Sequence, residues 1–182
     1  WPDGAGEGAM LTPSWCRVRA ANNAEMNRRL YAAADRLDAA QRNADRGAFF
    51  GSVQGTLSHL LWGDTTWMSR FDGWPAPPGG IRESPALHAD WEALKADRAA
   101  TDARIEAWAA RVDPEWLQGE LGWYSGAMGR HVARPVWVLV SHFFNHQTHH
   151  RGQVHALLTG LGEATGDTDL PFILEFPRPG GS

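Results

Sequence analysis

The 182-residue chain has one cysteine, Cys16, so no intramolecular disulfide can hold it together. A fold that needs no oxidising compartment favours a cytoplasmic home. Long hydrophobic runs are missing as well. The strongest, residues 135–140 and 60–62, fall far short of the roughly 18–20 residues a membrane-spanning helix requires, and no membrane partner is expected. Positive charge is scarce: 17 basic against 21 acidic residues give a net charge of -4. No basic stripe appears, which argues against a nucleic-acid partner, because such proteins neutralise phosphates with clustered Lys and Arg. There is no GxSxG elbow, no Gly-rich phosphate loop and no CxxC pair, so the machinery of serine hydrolases, P-loop enzymes and dithiol oxidoreductases is absent. Cys16, isolated from any activating pattern, reads as a small structural residue. Residues 1–9 lack the basic start and apolar stretch of a signal peptide; Met10 reads as the natural start, with 1–9 as upstream sequence outside the fold.

What is present is ordinary globular material, 43% hydrophobic and 21% charged, in a length that fits a single domain over 1–182. Residues 22–37 read as a helix, with Met26, Leu30, Ala33 and Leu37 on one face. The stretch 47–51 breaks the pattern, and Ser52 reads as the N-cap of a second helix running to about Phe71. GWPAPPGG at 73–80 must be a surface loop, because its prolines and glycines suit neither a regular helix nor a central strand. A long amphipathic helix follows over 85–110, stopped by Asp113-Pro114. Residues 121–132 read as a short hairpin or irregular connection, Pro135 as a first-turn residue of a last helix ending at Gly160, and 161–182 as an extended tail. With no fixed-period repeat, the expected fold is all-α: a four-helix bundle with long crossover connections.

Five of the eight histidines, His142, His146, His149, His150 and His155, crowd into the last helix. Two imidazoles at i and i+4 can share one divalent transition ion, which accepts neutral ring nitrogens at about 2.0–2.1 Å. His142 with His146, and His146 with His150, have that spacing. Setting His146 at zero on a helical wheel, the apolar seam centres near roughly +70°, with His150 at about +40°, His142 at about -40° and His149 at about -60°. His146 and His150 therefore lie nearest the seam, while His142, His149 and His155 fall toward the rim. Unliganded, two such buried rings would each need a hydrogen-bond partner. By elimination the best third ligand is His59, set in the apolar second helix, since His88 and His131 lie near a helix start and in a connection. His59 sits on the flank of its helix's apolar face, whereas Asp64 falls near the centre. Asp64 reads either as a buried hydrogen-bond acceptor that fixes an imidazole tautomer or as a cap on a neighbouring element.

The segments NRRLYAAADRL, GAFFGSVQGTLSHLLWGDTTWMSRF, PVWVLVSHFFNHQTHHRGQVHALLTGLG and TDLPF resemble the DinB family, in matching order along most of the chain. HQTHHRGQ is the specific part, similar to the family's metal motif at His146 and His150. The resemblance implies His59 as the ligand from the second helix, a four-helix bundle with a long crossover, a homodimer, and one bound Zn, Ni or similar ion. Relatives with assigned chemistry are thiol-dependent, including S-transferases and isomerases that use mycothiol or bacillithiol, and domains of ergothioneine-pathway enzymes; many others carry the label of metal-dependent hydrolase. The first helix departs from the family's aromatic-rich YNxWAN string, reading NNAEMN at 22–27.

Two functions follow as expectations. One is a metal-dependent enzyme of thiol S-transferase or hydrolase type, with a low-molecular-weight thiol and an electrophilic small molecule as partners, since three protein ligands leave a position open. The other is a non-catalytic bundle stapled by its metal or reporting metal status. Arg151 and Gln153 flank the motif and could orient a ligand or an anionic substrate, although an Arg there is more often solvated, as Asn145 is; Trp62 and Trp67 are candidates for the pocket wall. The amphipathic third helix and ten tryptophans offer more apolar surface than one bundle hides, which favours a two-fold homodimer.

Overall fold

The computed structural model describes residues 9–126 and 128–174. Residues 1–8, expected to be upstream sequence, and 175–182 of the expected tail lie outside the described residues. Helix α1 spans Pro13–Ala34, starting well before the sequence periodicity at residue 22. Its start is set by Thr12, whose hydroxyl accepts from the Trp15 amide at 3.1 Å, and by Pro13 in the first turn, where a missing N–H goes unused. A short helix α2, Ala39–Asn43, is closed by a reciprocal Asp38–Gln41 capping box. Helix α3, Val53–Phe71, begins as expected on Ser52, which accepts from the Gly55 amide.

The expected third helix is divided. Pro85 sits in a 3-10 turn, Ser84–Ala86, and α4 runs only from Trp91 to Arg111 because Asp90 caps it, accepting from the Ala93 amide at 2.7 Å. After a single-turn α5, Pro114–Leu117, the expected irregular connection is a regular antiparallel hairpin, β1 Glu120–Ser125 paired with β2 Arg130–Pro135. Pro135 therefore ends a strand and stands at the N-cap of α6, Val136–Gly160, not in its first turn. Past Gly160 the chain reverses on Gly162, whose φ of 84° is left-handed, with the Glu163 amide donating to Leu158 O and the Gly162 amide to Thr159 O. The expected extended tail contains a single-turn α7, Leu170–Ile173.

Helix α1 packs on α4 and α6, and α3 packs on α4 and α6. Two apolar clusters form between them. One gathers Cys16, Ala20, Met68, Phe71, Ile105, Trp108, Val140, Phe143 and Phe144; the other gathers Leu30, Tyr31, Leu57, Leu61, Trp91, Leu94, Val154 and Leu158. Helices α1 and α6 meet the first cluster before the second, and α3 and α4 meet them in the reverse order. The two pairs therefore run in opposite directions, and the connection 72–90, between α3 and the parallel α4, has to travel back along the molecule. Of the described tryptophans, Trp74, Trp91 and Trp108 are buried and the others half-buried. The large apolar side chains left in solvent are instead such residues as Phe49 and Phe172.

A polar layer separates the clusters. Asp64 of α3 pairs with Arg98 of α4 at 2.7 Å, and Arg98 with Asp102 at 2.7 Å. Asn23 and Asn27 of α1 donate to Asp102, and Gln147 of α6 donates to Asp64 at 2.9 Å. Arg151 of α6 donates to Asn23 Oδ1. Each carboxylate at this depth meets a guanidinium and amide donors, which offsets the loss of water around it.

Candidate metal centre

Because α3 and α6 pack together, His59, near the middle of α3, faces His146 and His150, one turn apart on α6. His59 Nε2 and His146 Nε2 are 3.2 Å apart, and one ring nitrogen from each of the three histidines falls in a group spanning no more than 4.8 Å. Two nitrogens sharing a tetrahedral ion at about 2.0–2.1 Å would be about 3.3 Å apart. Among the described residues this is the group of His, Cys, Asp or Glu side chains close enough to hold a metal ion. His59 and His150 are buried and His146 is half-buried.

The tautomers of His59 and His150 are fixed from outside the group. Ser84 donates its hydroxyl to Ile81 O at 2.7 Å, so toward His59 Nδ1, 2.8 Å away, it can only accept. His59 thus carries its proton on Nδ1 and turns a bare Nε2 inward. Gln153 does the same for His150, its amide oxygen accepting from Nδ1 at 2.7 Å. His146 Nδ1 is buried with no hydrogen-bond partner. Burial, reinforced by the charge of His150, holds His59 down to about 4; burial and the neighbouring imidazoles hold His146 down to about 3. Burial lowers His150 as well. Neutral rings with lone pairs directed at one point are the donor set a divalent transition ion requires, and these residues fit one.

The rings are wedged in place. Phe50 stacks on His59 with centroids 3.7 Å apart. A Cβ added at Gly63 would lie 2.8 Å from His146 Cε1, so the ring occupies the space a side chain would fill. Beside His59 and His146 opens a cavity of about 780 Å³, walled by Trp62, Trp67, Trp123 and His142 and reached by Arg70. The Arg70 guanidinium lies 4.5 Å from the Trp67 ring centre and 5.5 Å from that of Trp123.

His142, His149 and His155 stay out of the group. His142 and His149 are exposed, with the His142 ring 5.1 Å from Trp67, and His155 Nδ1 bonds the Thr165 hydroxyl at 2.7 Å. His88 bonds Asp97, and His131 lies against Tyr124. Asp64 is a buried acceptor, as one reading of the sequence had it, but it holds Arg98 and Gln147 and touches no imidazole. Arg151 is buried in the polar layer, contrary to the expectation of a solvated side chain, because Asn23 supplies its acceptor; Asn145 is exposed. Cys16 is fully buried, and burial pushes its thiol up to about 11, away from reactivity. Ser84, Phe50 and Gly63 have no mark in the sequence reading, although a glycine inside a helix invites the question of what packs against it.

Comparison with curated proteins and with solved structures finds no match. The family model for the DinB family matches residues 15–179. That span takes in all seven helices' worth of described sequence except the first residues of α1, along with the hairpin and the three histidines. The chain belongs to the DinB family.

Proposed function

We propose that His59, His146 and His150 hold one divalent transition ion, Zn or Ni, and that the protein is a metal-dependent enzyme of thiol S-transferase or hydrolase type, with thiol transfer the favoured reaction. The observation that carries this reading is the convergence of three imidazoles, two of them tethered from outside by Ser84 and Gln153, at the edge of a cavity of about 780 Å³. Among the described residues no fourth His, Cys, Asp or Glu joins them, so a position remains for water or substrate, as in catalytic and unlike closed structural sites. When bound, such an ion acts as a Lewis acid that lowers the pKa of a water or thiol at the site.

The chain's own residues supply the rest. Ser84 and Gln153 keep the imidazole protons on Nδ1, so that Nε2 stays available. Trp62, Trp67 and Trp123 give the cavity apolar walls that exclude water from a small electrophile. Arg70, held over two of those rings, presents a positive charge to an anionic group on the substrate. The same reading makes the four long helices a four-helix bundle with a crossover through 72–90, carrying the metal between α3 and α6 as bundles do.

A metal-replete preparation assayed with small thiols and electrophiles, chelated, and then reconstituted tests this. Turnover is expected to need the ion. His59→Ala, which leaves two ligands on one helix, is expected to abolish it with only a modest change in melting temperature, because both apolar clusters stay intact. Loss of the fold on chelation, with no thiol-dependent turnover in the metal-replete protein, would instead support a metal that staples the bundle.

A further inference from the structure

On the far face of α6 from the histidines, α6 and α1 enclose a second cavity of about 310 Å³ that shares no lining residue with the first. Two guanidinium groups converge there. Arg19 Nη2 donates to the Thr148 hydroxyl at 3.1 Å, and Arg151 Nη2 reaches the same oxygen at 3.4 Å. One neutral hydroxyl can accept from both, but it neutralises neither charge. Among the described residues neither Arg19 nor Arg151 forms an ion pair with a carboxylate. Arg151 spends its other nitrogen on the neutral Asn23.

Two further donors there have no partner among the described residues. Asn22, only 6% exposed, lines the cavity with its Nδ2 buried and unpartnered, and Arg19 Nε is buried without a partner as well. Buried donors are nearly always satisfied and buried charges are nearly always paired, so a cluster of donors that forms no direct carboxylate pair among the described residues lacks an acceptor. Burial lowers both guanidinium groups, Arg151 to about 10, where the charges of Asp64 and Asp102 act upward and that of Arg19 downward. Met26 and Leu30 from α1 and Leu170 from α7 form the apolar part of the wall, beside Thr168 and His155, whose Nδ1 is already bonded to the Thr165 hydroxyl.

We propose that this cavity binds a small organic carboxylate, its head held between Arg19, Arg151 and the Asn22 amide, and its short apolar tail lying along Met26, Leu30 and Leu170. A planar carboxylate with two oxygens matches paired guanidinium forks. The apolar wall favours a tailed acid over inorganic phosphate.

Isothermal titration of hexanoate into the full-length protein tests the site, with inorganic phosphate as the competing probe. Saturable binding is expected, weakened about tenfold or more by Arg19→Gln and also by Asn22→Ala, unchanged in His59→Ala, and tighter than phosphate. Arg19 is half-buried and outside the polar layer, so its variant is expected to melt like wild type. The proposal is overturned by any of three results: no saturation by about 20 mM hexanoate, equal affinity in Arg19→Gln and Asn22→Ala, or loss of binding in His59→Ala, which would move the acid to the metal centre. Tighter binding of phosphate than of hexanoate would overturn the assigned tail.

Discussion

His146 has its place because residue 63 has no side chain. A methyl at Gly63 would meet the His146 ring at 2.8 Å, closer than packed carbons approach, and the ring can retreat only by turning Nε2 away from His59. Gly63→Ala is therefore expected to fold, since alanine favours a helix by about 1 kcal/mol over glycine, while binding Zn at least about tenfold more weakly. Titration against a chromogenic chelator measures it, and an unchanged affinity would show that the ring is not seated by Gly63. The same rings give the metal-free protein a pH dependence. His59 and His146 are held at about 4 and about 3, below the ordinary 6.5. Between about pH 6.5 and 4 the unfolded chain binds more protons than the folded one, so stability rises with pH and falls on acidification. From about pH 7.5 to 5 the chelated protein is expected to lose about 2 kcal/mol or more, read from urea midpoints. Of these residues the sequence made His146 visible through spacing, and His59 through elimination and the family resemblance. It did not reveal Ser84, whose approach to His59 depends on the path of a loop, or Gly63, whose meaning depends on a ring from another helix.

Helix α6 sends alternate residues of one motif to different tasks. His146 and His150 face α3 at the candidate metal centre, while Gln147 and Arg151 enter the polar layer with Asp64, Arg98, Asp102 and Asn23. That layer touches all four long helices, so it fixes their depth relative to one another and thereby the level at which the histidines meet. Asp64→Ala leaves Arg98 and Gln147 buried with one acceptor fewer, and is expected to destabilise the fold by about 3–5 kcal/mol. Urea unfolding checks it; a change under about 1 kcal/mol would show that the layer is dispensable. The existence of the four long helices was legible from periodicity, that of the short α2, α5 and α7 was not, and boundaries followed caps. Thr12 with Pro13 moved α1 earlier and Asp90 cut α4 short. The polar layer was illegible, because a wheel shows that Asp64 points inward but not that Arg98 waits there.

At the scale of the molecule, apolar clusters lie on either side of the polar layer, and the three histidines sit at that layer's level between α3 and α6. The all-α character and the His146–His150 pair could be read from one chain, because helical periodicity and i,i+4 spacing are local properties, while His59 came by elimination and from the family resemblance. The second, arginine-lined cavity could not, since it joins Arg19 to Arg151 across 132 residues of sequence. With an intact core on both sides of the site, the proposed metal would be free to serve chemistry without being needed to hold the fold. Metal analysis of purified protein and its histidine variants tests this most directly. The account predicts about one divalent ion per chain, kept by His142→Ala and His149→Ala and lost by His59→Ala, His146→Ala and His150→Ala. Metal lost equally from His142→Ala, or a wild-type protein that takes up no ion when Zn or Ni is supplied, would contradict it.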